Sequence, residues 1–296
     1  MRVRVLVAAT IAGLTGAFCW LLLTHFHQGA ADFSWAIRAA RYMLARRNPY
    51  DTPLQQYPLT AAVFGLPFLH FPAEIAAALF FGISSGLLAF GLTRHGNYHR
   101  LLVLLAYPYW AALLTAQWSP LIAASAFFPL LLPVTMAKPQ VGLPVFFTYV
   151  GRRGALACLG VGALTLIFVP KWPLLWIQQF GYYEHFFPLL VLPGFLLVFA
   201  LARYRDRDAV FLLLSALVPQ RWFFDAFVLW LIPKSRREIL ATVVASWGVG
   251  IWRWYHMPHS MNEVGLWSVL GFYLPMLLII LLRSGDHQTD ASATSA

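Results

Sequence analysis

The sequence predicts an all-α, polytopic integral membrane protein. Of its 296 residues, 60% are hydrophobic and only 11% are charged, whereas about 25% of the residues in an ordinary soluble domain are charged. Apolar runs long enough to cross a bilayer recur from end to end. Together these observations predict about ten or eleven transmembrane helices, accompanied by juxtamembrane helices on the outer surface.

Basic residues separate the apolar runs, and this spacing explains the formal net charge of +10. The positive-inside rule accounts for such a pattern, so we expect no nucleic-acid partner. Placing every basic cluster in the cytoplasm gives one consistent topology in the cell (cytoplasmic) membrane. The clusters are Arg2 and Arg4; Arg94 and Arg100; Arg152 and Arg153; Arg203, Arg205 and Arg207; Lys234, Arg236 and Arg237; and Arg283.

The first span covers residues 5–24, which we interpret as an uncleaved anchor because no convincing small-residue cleavage site follows it. Residues 25–57 then form a first outer loop. Apolar residues recur in this loop at helical spacing, which predicts an amphipathic helix lying in the membrane surface. These residues are Phe33, Ile37, Ala40 and Leu44.

The next segment, residues 57–71, is short and interrupted by prolines, so we expect a surface or re-entrant helix. Residues 73–93 span inward and residues 101–115 span outward. Residues 119–150 are ambiguous, because they contain four prolines and Lys138 but are too few for three full spans. Broken helices of this kind persist in a membrane only when they are buried in protein or line a cavity.

In the second half of the chain, residues 155–169 span outward and an aromatic-rich outer loop follows at 171–188. Residues 188–202 return inward. Two short helices, 210–219 and 226–233, form a hairpin whose outer tip is residues 220–225. The spans 239–254 and 265–282 complete a single domain, 1–283, and the polar residues 284–296 read as a disordered cytoplasmic tail.

This topology places an unusual set of polar and ionisable residues on the outer face. A transporter concentrates ionisable groups near the bilayer midplane, whereas a rim of such groups favours an enzyme acting at the lipid–water boundary. The set comprises Asp32, Arg38, Arg41, Asp51, Gln117, Lys171, Glu184, His185, Arg221, Asp225, Arg253 and His256.

Asp32 has two compatible interpretations. It suits the N-cap position of a helix over residues 33–45. As a general base, it would take the proton from an acceptor hydroxyl while that hydroxyl attacks a sugar carbon.

Each of the candidate basic residues also has two possible roles. Lys138 either snorkels out of an apolar segment or binds an anion. Arg221, Lys171 and Arg253 either sit among interfacial aromatics or clamp a phosphate, for which the guanidinium geometry is well suited. Asp225 either caps its helix or pairs with Arg221.

Seven short motifs, in order across residues 1–235, resemble glycosyltransferase family 87 of the C-type membrane glycosyltransferases. Ala116 stands where the family has Gly before Gln, and Phe224 where Tyr is usual. The motifs are Asp32, Asn48-Pro49-Tyr50, Tyr57-Pro58, Leu66-Pro67, Ala116-Gln117, Lys138-Pro139, and Val218-Pro219 followed by Trp222 and Asp225.

The resemblance implies a C-type glycosyltransferase fold and an inverting hexosyltransferase. Such an enzyme takes a sugar, often mannose, from a polyprenyl-phosphate donor and transfers it to an envelope glycolipid or glycan on the non-cytoplasmic side. It implies that Asp32 is the general base and that no metal or other cofactor is required. A transporter or flippase of a lipid-linked substrate, and a non-catalytic partner in an envelope complex, remain alternatives.

The candidate site follows from these interpretations. Asp32 is the catalytic residue, and the donor phosphate is met by Arg221, Lys138, Lys171 or Arg253. The candidate substrate-binding residues are Arg38, Tyr50, Tyr57, Gln117, Trp222, Asp225 and His256.

Overall fold

A computed structural model describes residues 1–51, 57–179, 181 and 184–283 of the chain. The regular secondary structure of these residues is helical, and their only extended pairing is an isolated antiparallel bridge between Phe186 and Gln220. The all-α prediction is confirmed. The predicted tail, 284–296, lies outside the described residues.

The helices alternate between long α-helices and short or 3-10 segments. The α-helices are α1 (Arg2–His25), α2 (Ser34–Leu44), α3 (Thr60–Gly65), α4 (Ala73–Leu92), α5 (Tyr107–Leu114), α6 (Ser119–Ser125), α7 (Pro139–Tyr149), α8 (Arg152–Phe168), α9 (Trp172–Ile177), α10 (Arg207–Leu217), α11 (Arg236–Tyr255), α12 (Met261–Ser268) and α13 (Leu274–Leu282). The 3-10 helices are Ala31–Phe33, Leu66–Phe68, Arg94–Gly96, Tyr98–Leu105, Pro129–Met136, Gly194–Arg203 and Phe223–Leu231.

Among the described residues, three helices are long and apolar enough to cross a membrane. They are α1, α4 and the continuous helix Met261–Leu282, in which α12 and α13 are joined by the π-helical turn Val269–Tyr273; their mean hydropathies are 2.1, 2.1 and 2.2. Membrane association by apolar helices is therefore supported, and the count of ten or eleven spans stays a prediction.

Helix α1 packs along α4 through small residues. A Cβ added at Gly82 would lie 2.6 Å from the Ala12 carbonyl oxygen, and one added at Gly86 would lie 2.8 Å from the Ala12 Cβ. Close backbone approach of this kind is typical of helix pairs in membranes. Only 6% of the apolar window of α1 is buried, and its other residues are half-buried or exposed.

The proline-rich middle of the chain is broken, as predicted, and its pieces are largely enclosed. Every residue of α6 is buried, and Lys138, which directly precedes α7, is only 3% exposed. Broken helices were expected either to be buried in protein or to line a cavity; α6 is buried, and Lys138 lines the cavity described below.

The predicted amphipathic helix is present as α2, after the 3-10 turn Ala31–Phe33, and Leu44 on its predicted apolar stripe is exposed. One detail of the predicted helices was wrong. The two short helices expected to form a hairpin do not pack as one: α10 packs mainly against Gly194–Arg203, α7 and α13, whereas Phe223–Leu231 packs mainly against α5 and α6.

A group of charged side chains, here named the Arg283 cluster, joins the ends of three helices away from the candidate site. Arg283 donates to Asp208 at 2.5 Å and to Glu238 at 2.9 Å, and Lys234 lies 2.6 Å from Asp208. Arg283 also donates to the Ile232 carbonyl oxygen at 2.6 Å. The cluster therefore connects the start of α10, the start of α11 and the end of α13.

Candidate active site

A cavity of about 520 Å³ brings together residues that are far apart in the sequence. Six of the candidate site residues line it: Asp32, Tyr57, Gln117, Lys138, Arg221 and Trp222. Gln28, Gln140 and Phe224 also line it, and none of these three was among the predicted site residues. The available signal for Gln140 was its place in the first turn after Lys138-Pro139.

Asp32 is held in a tight turn between α1 and α2. Ala31 has a φ of 44°, a left-handed conformation that side chains disfavour. The buried ring of Phe33 stacks on Phe80 with 4.0 Å between the ring centroids, and the Asp32 N–H donates to the Thr115 carbonyl oxygen at 3.3 Å. The turn is thus fixed on both sides of Asp32.

Gln117 reaches the cavity from the C-terminal end of α5. The Gln117 N–H donates to the Ala112 carbonyl oxygen at 3.0 Å, and the Ala116 N–H donates to that of Leu113 at 3.5 Å. These two bonds form a Schellman motif, whose intervening residue is usually glycine. Here that residue is Ala116, with a φ of 48°.

The Asp32 carboxylate is a hydrogen-bond acceptor in the cavity rather than a helix cap. Its Oδ2 accepts from the Tyr57 hydroxyl and, at 2.6 Å, from Gln117 Nε2. Helix α2 is preceded by Phe33 and has no side-chain cap, so the capping interpretation of Asp32 was wrong. Oδ1 accepts no hydrogen bond from the described residues.

Lys138 is placed by the close approach of α7 to the 3-10 helix Pro129–Met136. A Cβ at Gly142 would lie 2.0 Å from the Thr135 carbonyl oxygen, so only glycine permits this packing. The Lys138 Nζ lies 2.7 Å from Asp225 Oδ1 and donates to Gln117 Oε1 at 2.8 Å. The lysine is therefore paired inside the protein, and the snorkelling interpretation was wrong.

Asp225 lies behind Lys138 and is 1% exposed. Burial raises the pKa of Asp225, and the Lys138 ammonium opposes this rise. Its ion pair is with Lys138, so the expected pairing with Arg221 was wrong. Lys138 also lies 4.7 Å from the centroid of the Phe224 ring, at the position where the family resemblance has Tyr.

The remaining candidates do not line the cavity: Arg38, Tyr50, Lys171, Arg253 and His256. Tyr50 supports the site from behind, because its hydroxyl donates to the Tyr57 carbonyl oxygen at 3.0 Å. Arg38 and Lys171 are exposed. Arg253 donates to the His256 carbonyl oxygen at 3.2 Å, and the His256 ring stacks on Trp252. Sequence position alone could not distinguish these residues from those in the cavity.

Two segments that were predicted to lie on the outer face are joined beside the cavity. Phe186 and Gln220 exchange backbone hydrogen bonds of 2.9 and 2.8 Å. The Gln220 Nε2 also donates to the Gln140 carbonyl oxygen at 2.9 Å. The segment that carries Arg221 and Trp222 is thus anchored both to the second predicted outer loop and to the start of α7.

No family model matches the chain, and no curated protein or solved structure matches it either. The likeness to glycosyltransferase family 87 therefore rests on the seven motifs alone. Within the described residues, no group of three or more His, Cys, Asp or Glu side chains is arranged to hold a metal ion.

Proposed function

We propose that this chain is an inverting glycosyltransferase that moves a hexose, such as mannose, from a polyprenyl-phosphate donor to an envelope glycolipid or glycan. One observation carries the proposal: Asp32, held by two donors at one oxygen, shares a cavity with Lys138 and Arg221. A carboxylate facing fixed positive charge suits the transfer of a sugar from a phosphate leaving group.

In this reaction Oδ1 of Asp32 takes the proton of the acceptor hydroxyl. The hydroxyl oxygen forms a bond to the anomeric carbon from the face opposite the phosphate, so the configuration inverts. The bond between that carbon and the phosphate oxygen breaks, and its electrons leave with the polyprenyl phosphate. The phosphate needs no proton to leave, because positive charge stabilises it.

Arg221 is the proposed phosphate clamp. It lines the cavity beside Trp222, and a guanidinium binds two phosphate oxygens at once. The ammonium of Lys138 is already balanced by Asp225, 2.7 Å away, which makes it the weaker candidate. Lys171 and Arg253 do not line the cavity, so they rank below both.

The proposed location is the non-cytoplasmic face of the cell membrane, in a multi-pass protein. The basic-residue pattern supports this placement. The same placement brings the cavity to the membrane surface, where the lipid tail of a polyprenyl-phosphate donor lies among membrane lipids.

One observation favours a second candidate, a transporter or flippase of a lipid-linked substrate. The side chains of the Lys138–Asp225 pair are 4% and 0% exposed. Buried ionisable pairs are frequent in substrate pathways of transporters. Asp32 on the wall of the same cavity is the feature that places the enzyme first.

The two candidates differ in what happens to the donor. Purified protein should release polyprenyl phosphate from a radiolabelled polyprenyl-phosphate hexose when an acceptor glycolipid is supplied. In a deletion strain, mass spectrometry should show an accumulated polyprenyl-phosphate sugar together with a lost glycan. Movement of the intact donor between leaflets without cleavage would instead establish the transporter.

A further inference from the structure

Four side chains form a series of polar contacts that ends at the Asp32 carboxylate. Asp225 Oδ1 lies 2.7 Å from Lys138 Nζ, and Lys138 Nζ donates to Gln117 Oε1 at 2.8 Å. Gln117 Nε2 then donates to Asp32 Oδ2 at 2.6 Å. Asp225, Lys138 and Gln117 are each no more than 3% exposed, so water competes little for these contacts.

The chemistry of the end groups permits only one orientation of the Gln117 amide. A lysine ammonium has donors and no acceptor, and an ionised carboxylate has acceptors and no donor. The amide oxygen must therefore face Lys138, and the amide nitrogen must face Asp32. Lys138 also withdraws electron density from the amide oxygen, which strengthens the N–H donor at the other end.

We propose that Lys138 is a positioning residue, which acts through Gln117 to orient Asp32 and to stabilise its ionised form, and that Asp225 holds Lys138 in place. The role proposed for Lys138 rests on the proposed function in one respect, namely that Asp32 acts as a general base. It also explains why a lysine whose charge is already balanced lies in the cavity.

Other groups face Asp32 as well. The Tyr57 hydroxyl donates to the same carboxylate oxygen, and Arg221 lines the same cavity. Both stay in place in the variants used below, so their influence on Asp32 is constant. Asp225 is the second carboxylate nearby, and it is separated from Asp32 by Lys138 and Gln117.

The test measures protonation of Asp32 without any sugar transfer. Dicyclohexylcarbodiimide reacts with a protonated carboxylic acid, and mass spectrometry of the full-length protein's peptides identifies the labelled residue. The pH at which Asp32 labelling falls to half gives a midpoint. Loss of a hydrogen bond to the ionised carboxylate should move this midpoint upward by about one pH unit.

The first variant is the double substitution Lys138→Met/Asp225→Asn. It removes one positive and one negative charge together, so that no buried charge is left unpaired. We expect the Asp32 midpoint to rise. Gln28→Met is the matched control, because Gln28 lines the cavity outside the four-residue chain, and its midpoint should equal that of the wild type.

The second variant, Gln117→Met, removes the indirect contact between Lys138 and Asp32 and leaves the Lys138–Asp225 ion pair intact. It provides the test of the proposal if the double variant does not fold. It should raise the midpoint by a similar amount. Adding Lys138→Met/Asp225→Asn to Gln117→Met should then change the midpoint little, because the route is already broken.

An unchanged midpoint in folded Gln117→Met protein overturns the proposal. A midpoint that rises further when all three substitutions are combined also overturns it, since Lys138 would then act directly rather than through Gln117. Neither result depends on whether the chain transfers a sugar, so the proposed function is tested separately.

Discussion

The backbone N–H of Gln117 donates to the carbonyl oxygen of Ala112 at 3.0 Å, and this bond ends α5 at the wall of the cavity. To make it, the chain turns through Ala116 with a φ of 48°. A left-handed conformation costs a non-glycine residue roughly 1–2 kcal/mol. The strain is stored beside a residue that contacts Asp32, as is common at functional sites.

Ala116→Gly should therefore be tolerated much better than Ala112→Gly. Both alanines are 0% exposed, so both variants lose a buried methyl group. Glycine relieves the strained turn at residue 116 but costs about 1 kcal/mol in a helix interior such as residue 112. Thermal unfolding in detergent should show Ala116→Gly to be the more stable variant by about 2 kcal/mol. Equal losses would contradict the strain argument.

Asp32→Asn should reduce sugar transfer by about 10²–10⁴-fold, the usual contribution of a general base. The amide oxygen of asparagine still accepts hydrogen bonds from Tyr57 and Gln117, so the folded protein should persist. The measurement is the rate of transfer from a polyprenyl-phosphate hexose. Asp51→Asn is the control, since Asp51 is an exposed acceptor for Asn48. Wild-type turnover by Asp32→Asn would remove the base from the mechanism.

Arg283→Met should destabilise the fold by about 2–4 kcal/mol, because it leaves partly buried carboxylates with fewer partners. The loss is limited by Lys234, which still pairs with Asp208. Chemical unfolding in detergent measures it. The matched control is Arg237→Met, because the Arg237 side chain is exposed and surface substitutions usually change stability by less than about 0.5 kcal/mol.

The Glu238 carboxylate should make stability sensitive to acid. Burial raises its pKa, but hydrogen bonds from Arg283 and from the backbone of Lys234 and Ser235 outweigh burial and hold the pKa below the ordinary value of 4.5. A lowered pKa means that the stabilisation is present above 4.5 and is lost as pH falls through the lowered value.

Glu238→Gln, which can still cap α11, should flatten this acid limb of the stability profile. Unfolding free energy measured against pH checks the change. A limb that stays as steep in Glu238→Gln as in the wild type would assign the acid sensitivity to another group.

Thiol labelling tests the proposed topology. Arg47→Cys should react with a membrane-impermeant maleimide in intact cells, whereas Asn97→Cys should react only after permeabilisation, because the positive-inside rule predicts that these loops lie on opposite sides. The native Cys19 and Cys158 are buried and contribute little background. Protection of Arg47→Cys in intact cells would move the candidate site to the cytoplasmic face.

Much of the candidate site was accessible from the sequence, because polar residues are conspicuous in an apolar chain. Asp32, Gln117, Lys138 and Arg221 stood out in this way, and the cavity does bring them together. The ion pair between Lys138 and Asp225 could not be predicted from the sequence. Nothing in the local sequence of Asp225 shows that its partner is Lys138 rather than Arg221, because that choice depends on how α7 packs against distant segments.

The fold was predictable where a single continuous helix accounts for an apolar run in the sequence. Helices α1 and α4 are continuous and apolar, and each was predicted within a few residues of its observed ends. The segment around Phe223–Leu231 was predicted as a short helix of a hairpin, and the segment around Gly194–Arg203 as a plain span, but both are 3-10 helices. Such tightening is set by tertiary packing, which hydropathy does not encode.

The burial of Lys138 beside Asp225 has a consequence for biosynthesis. Lys138 leaves the ribosome long before its counter-ion does, and until Asp225 follows, the ammonium has no opposite charge to accompany it into an apolar setting. The segment that begins at Lys138 must therefore remain in contact with water or with the insertion machinery. It packs into its final position only after the segment containing Asp225 has been synthesised. The candidate cavity is consequently completed only after Asp225 has been synthesised.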